Sequence, residues 1–81
     1  MRRYTVDDLR YTVGQNIRKA RIEKGMTQIR LAELCGMRAD KIGSQIICNT
    51  ERGLHFPYLR NLTRIADALE VDVFSFFKKL D

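Results

Sequence analysis

Between Thr27 and Gly53 the chain carries side chains suited to hydrogen-bonded recognition rather than to bond-making. Thr27 followed by Gln28 has the form of a helix start. The free backbone N–H groups at such an end suit a phosphate oxygen, and Gln28 in the first helical position adds an amide donor. Further on, Ser44, Gln45 and Asn49 are spaced by one and four residues. That spacing gives them one face of a helix, away from Ile46 and Ile47. Glutamine and asparagine amides match the adjacent donor and acceptor that adenine displays in the DNA major groove. Arg38 and Lys41 lie beside this face and suit phosphates or guanine.

Other chemistries lack their residues. The chain has one histidine, His55, and two cysteines, Cys35 and Cys48, whose spacing fits no zinc pattern. Both cysteines read as buried small hydrophobes. There is no glycine-rich phosphate loop after a strand, no nucleophile elbow and no cluster of carboxylates on a helix face. Glu33 and Asp40 read as surface charges. The expectation is a protein that is not an enzyme, holds no metal or cofactor and needs no small-molecule effector.

The 81 residues, 44% hydrophobic, are enough for one domain with a modest core. No apolar run approaches the roughly 18–20 residues of a membrane span. The N-terminus has no signal-peptide core, so a cytoplasmic location without membrane association is expected. The net charge of +5 is uneven, because residues 1–64 hold 13 Lys/Arg against 6 Asp/Glu. The remaining segment is acidic. A basic body of this kind suits a polyanionic partner.

Five helices would position these residues. The first starts after Thr5, with Asp7 and Asp8 in its first turn, and stops at Lys24-Gly25. Val6, Leu9, Val13, Ile17 and Ala20 form its stripe, and Gly14 offers a place to break it. The second runs from Thr27 to Gly36 with Ile29, Leu31, Ala32, Leu34 and Cys35. A third lies within Met37 to Thr50 and ends at Gly53. Pro57 marks a fourth start, with Leu59, Leu62, Ile65, Ala66 and Leu69 buried. Asp72 caps a fifth, in which Phe74, Phe76, Phe77 and Leu80 exceed what one small core can cover and suggest a dimer surface.

From Val13 to Phe77 the sequence resembles the Cro/phage-repressor type helix-turn-helix family, also called XRE. The resemblance rests on an ordered set: Val13 to Arg21, Lys24 to Gln28, Leu31-Ala32, Gly36-Met37, Glu51-Arg52-Gly53, Pro57, Leu59, Leu62, Ile65 to Leu69, and Val71. The segment from Val73 to Leu80 is similar to small restriction–modification controllers and short phage or plasmid regulators. The resemblance implies an all-α, five-helix lambda-repressor-like bundle, one domain over residues 1–81, with residues 5–12 as an N-terminal helical extension. It also implies a sequence-specific regulator of transcription, dimeric, with helix three in the major groove of a palindromic operator. An antitoxin or protein-interaction module on the same fold is the alternative. By position, Thr27, Gln28, Arg52, Tyr58 and Arg60 would meet phosphates, and Arg21 with Glu51 would tie helix one to the end of helix three.

The reader departs from the family pattern. Gly36 and Glu51 lie fifteen positions apart, an apparent insertion of about five residues, roughly 1.4 helical turns, between or within helices two and three. Counting back from Glu51 buries Ile47, starts helix three near Ser44, turns Ser44, Gln45, Ile46 and Asn49 outward and sends Thr50 into the core. Counting forward from Gly36 buries Ile42 instead and puts Arg38, Ala39, Asp40, Lys41 and Ser44 at the front.

Overall fold

A computed structural model describes residues 3–80; Met1, Arg2 and Asp81, which the single-domain expectation also spans, lie outside the described residues. The chain forms α1 (Val6–Glu23), α2 (Gln28–Leu34), α3 (Lys41–Glu51) and α4 (Leu59–Leu69), followed by a 3-10 helix over Val73–Phe77. No strand is present among the described residues. The all-α expectation therefore holds, but with four α-helices rather than five. The last segment, expected as the fifth helix, is the five-residue 3-10 helix. Asn16 Nδ2 donates to the carbonyls of Phe76 (2.8 Å) and Lys78 (2.9 Å), which tethers the exit of the segment to α1.

The helix ends follow the capping chemistry of the sequence. Thr5 and Asp8 exchange side-chain and backbone hydrogen bonds in a capping box. Thr27 Oγ1 accepts from the Arg30 N–H, and Asp72 accepts from the Phe74 N–H. Asp40, read above as a surface charge, is the N-cap of α3 and accepts from the Ile42 and Gly43 N–H groups. Tyr58 precedes α4 without a side-chain cap, one residue after the buried Pro57.

Val13 and Ile17 from α1, Leu31 and Ala32 from α2, Cys35, Ile47 from α3, and Leu62, Ile65, Ala66 and Leu69 from α4 meet in one core, closed by Phe76. The apolar stripe of α1 is longer than this core, so Val6 and Leu9 are exposed; so is Leu59 in the first turn of α4. Cys35 is buried and Cys48 half-buried, both as free thiols. Burial lifts the Cys35 thiol to about 11, against a smaller opposing pull from Arg64.

Gly14 does not divide α1, which runs unbroken through it. A Cβ there would stand 2.3 Å from the Thr50 carbonyl oxygen and 2.7 Å from that of Glu51. The missing side chain is what lets α1 lie against the end of α3. Gly43 does the same at the other end of α3, where a Cβ would come within 1.8 Å of the Arg38 carbonyl oxygen. Intrinsic propensity alone makes Gly14→Ala stabilising by about 1 kcal/mol. The contact at Gly14 reverses that sign, since overpacking against backbone costs about 1–3 kcal/mol. Urea unfolding should show G14A less stable than the parent chain; a gain would mean that α1 can move away from α3 without loss.

Candidate nucleic-acid interface

Helix α3 is amphipathic, with Gly43, Ile47, Thr50 and Glu51 buried. Ile47, not Ile42, fills the core, as counting back from Glu51 requires, and Ile42 is exposed. Thr50 lies at the core position, where its Oγ1 donates to the Ile46 carbonyl (2.9 Å) and so leaves no buried hydroxyl unpaired. α3 begins at Lys41, three residues earlier than that count expects. Residues 35–40 form a short turn and residues 41–51 one helix, so the expected insertion is not a separate element.

Solvent faces the other side of α3. Lys41, Gln45 and Arg52 are exposed, and Ser44 and Asn49 are half-buried. Gln45 Nε2 donates to Asn49 Oδ1 at 3.0 Å, which couples the two amides across one turn. Arg38 is exposed, but its guanidinium is engaged by Asp40 at 2.7–2.9 Å. Asp40 is therefore neutralised on one side by a cation and on the other by the helix start. Desolvation pushes its carboxyl up, yet the Ile42 and Gly43 N–H groups and Arg38 outweigh that and hold it below the usual carboxylate range. The sequence offered a signal for this role, an aspartate directly before a helical segment, and reading Asp40 as a surface charge overlooked it.

The end of α3 is fixed by a hub around Glu51, whose side chain is 2% exposed. Arg21 binds it in a two-pronged contact, Nε to Oε2 at 2.6 Å and Nη2 to Oε1 at 3.0 Å. Arg21 Nη1 also donates to the Met26 carbonyl at 2.8 Å, which holds the loop before α2. Gln28 Nε2 reaches Glu51 Oε1 at 3.2 Å, and Gln15 Nε2 reaches the Glu51 carbonyl at 3.2 Å. One carboxylate thus links α1, α2 and α3. Gln28, expected to offer its amide outward, gives it inward. Gln15 lies within the family-like segment but had no assigned role, and neither helical periodicity nor charge marks it.

Thr27 and Gln28 start α2 on this hub, with Thr27 exposed. Arg52 sits at the C-cap of α3, and Tyr58 and Arg60 flank the start of α4; all three are exposed. The cations expected near phosphates therefore come from the ends of α3 and α4, and the amides from the middle of α3. Among the dimer candidates, Phe76 belongs to the core and cannot serve an interface. Phe74 is 77% exposed, Phe77 is exposed with its ring 6.3 Å from that of Phe56, and Leu80 is half-buried. Among the described residues, no three or more His, Cys, Asp or Glu are placed to hold a metal, and no helix is long and apolar enough to cross a membrane.

No protein-family model matches the sequence, and no curated protein matches it either. Solved structures do. The restriction-modification controller protein C.AhdI from Aeromonas hydrophila superposes with a TM-score of 0.74 at 29% identity, over 84% of this chain and 96% of that one. The hypothetical transcription factor NHTF from Neisseria superposes with a TM-score of 0.76 at 27% identity, over 96% of this chain and 84% of that one.

Removing one partner of a buried ion pair leaves the other uncompensated, at about 3–5 kcal/mol. Because Arg21 keeps some solvent contact, E51Q should lose about 3 kcal/mol in urea unfolding. The double variant R21M/E51L should lose less than the sum of R21M and E51L, since no charge is left buried alone. Additive losses would show that the two groups do not act as a pair.

Proposed function

Since the chain belongs to the helix-turn-helix family of Cro and phage-repressor type regulators, we propose that it is a sequence-specific regulator of transcription that places α3 in the major groove of duplex DNA. The observation that carries this reading is the exposed face of α3, where the coupled amides Gln45 and Asn49 lie between Lys41 at one end and Arg52 at the other. Amides there can take the donor and acceptor edges of bases, while cations at the helix ends meet phosphates on either side of the groove.

Positioning falls to the first turn of α2 and to the start of α4. Thr27 satisfies one of the α2 N–H groups, and the others in that turn suit a phosphate oxygen. Arg52, Tyr58 and Arg60 extend the same contact line. Lys41 serves bases or phosphates at the start of α3. Arg38 supports the α3 cap through Asp40 and reaches phosphate only by leaving that contact. Ser44, half-buried, flanks Gln45 at the edge of the reading face.

One reading helix touches few base pairs, and useful discrimination follows when two copies bind half-sites about one helical turn apart. Phe74 and Phe77 supply an apolar surface outside the core for such a homodimer, with Leu80 at its margin. A Phe74→Asp, Phe77→Ser double variant should sediment as a monomer where the parent sediments as a dimer. Equal masses would remove these residues from the interface.

Selection from random duplex oligonucleotides should yield a preferred sequence with two-fold symmetry. On that duplex, log affinity should fall linearly with log salt, and Arg52→Ala or Arg60→Ala should each reduce the slope by about one. Q45A and N49A should each lose about 1–3 kcal/mol on the selected duplex and little on unrelated DNA. A protein that selects no sequence, with Q45A unchanged in affinity, would overturn the reading.

A further inference from the structure

The exposed face of α3 holds apolar side chains that neither the core nor the amide–cation arrangement explains. Ile42 is 51% exposed and Ile46 38% exposed, while Ile47 is wholly buried. Ile42, Gln45, Ile46 and Asn49 stand at i, i+3, i+4 and i+7, one continuous row along the helix, so Ile46, unlike Ile47, shares the amide face it was expected to lie away from. A single exposed isoleucine is ordinary on a protein surface. Here two of them bracket a glutamine whose amide is held in place by Asn49.

We infer that Ile42, with Ile46 beside it, is the specificity determinant for thymine, and that the preferred half-site carries an A·T pair whose C5-methyl group packs on Ile42. The inference rests on the reading of α3 as the DNA-facing helix. An A·T pair presents, in sequence across the major groove, N7, N6–H, O4 and the thymine methyl. The bond to Asn49 uses one Nε2–H of Gln45, leaving its Oε1 and second N–H for adenine N6 and N7. The neighbouring position in the groove then falls to an apolar side chain on the same helix face. Against the methyl, Ile42 buries hydrocarbon on hydrocarbon. Against a G·C pair the same position carries only the cytosine C5–H, so that contact is lost, while Gln45 Oε1 meets guanine O6, acceptor against acceptor, in place of the adenine N6–H. Ile42 therefore favours thymine, and Gln45 beside it disfavours the G·C pair.

Replacing thymine by deoxyuridine removes only the methyl group. On the duplex selected by the wild-type protein, deoxyuridine at one thymine of each half-site should weaken binding about fourfold per half-site, the effect of exposing one buried methyl. Ile42→Ala should bind the thymine duplex more weakly and be indifferent to that same replacement. Ile42→Ala should keep the parent's unfolding midpoint, since the side chain is exposed. Wild-type protein indifferent to deoxyuridine at every thymine, a selected site without thymine, or an I42A protein that still senses the same methyl would each overturn the inference while leaving α3 as the reader. Failure to select any sequence would remove the reading beneath it as well.

Discussion

The buried contact between Arg21 and Glu51 is the constraint to which the rest of the fold answers. A carboxylate out of water is tolerated only with a charged partner and filled lone pairs. Glu51 finds both in Arg21 and Gln28. Those partners lie on α1 and at the start of α2, so satisfying one charge fixes three helices against each other. Arg21 then reaches the Met26 carbonyl and holds the connection between α1 and α2. Such a pair adds less to net stability than to uniqueness of arrangement. For the DNA-reading surface proposed above, fixed orientation is the useful property.

Close approach is the second condition, and it falls on backbone atoms. α1 can reach the end of α3 only because Gly14 brings no side chain against the Thr50 and Glu51 carbonyls. α3 can leave its preceding turn only because Gly43 clears the Arg38 carbonyl. With both ends seated, α3 buries Ile47 and Thr50 and turns Gln45 and Asn49 outward. Asp40 completes the arrangement by capping α3 and drawing Arg38 onto itself. The cationic character of this turn is therefore partly internal, which leaves Lys41 and Arg52 as the exposed charges nearest the amides.

Much of this was legible without coordinates. Thr5, Thr27 and Asp72 declared helix starts, because a short polar side chain before an apolar periodic run has few other uses. Gly25 and Gly53 declared stops and adopt the positive φ that favours glycine. The Arg21–Glu51 pair followed from resemblance, since a pair thirty residues apart has no local signature. The burial of Ile47 over Ile42 could not be read from periodicity. Both isoleucines fit a helical stripe, and only the packing of α3 against α1 and α2 chooses between them.

By itself the sequence determined the helical segments, the basic charge of the body and the family-like order of motifs, since capping, period and charge act over a few residues. Tertiary structure decided which members of each stripe are buried. It exposed Val6, Leu9 and Leu59, where the stripes outrun a core too small to cover them. It also drew Phe76 into the core, tied the exit of the last segment to Asn16, and gave a 3-10 turn where a fifth α-helix was expected. And it turned Gln28 from solvent to Glu51, because an unpaired acceptor in the interior outweighs a solvated amide at the surface.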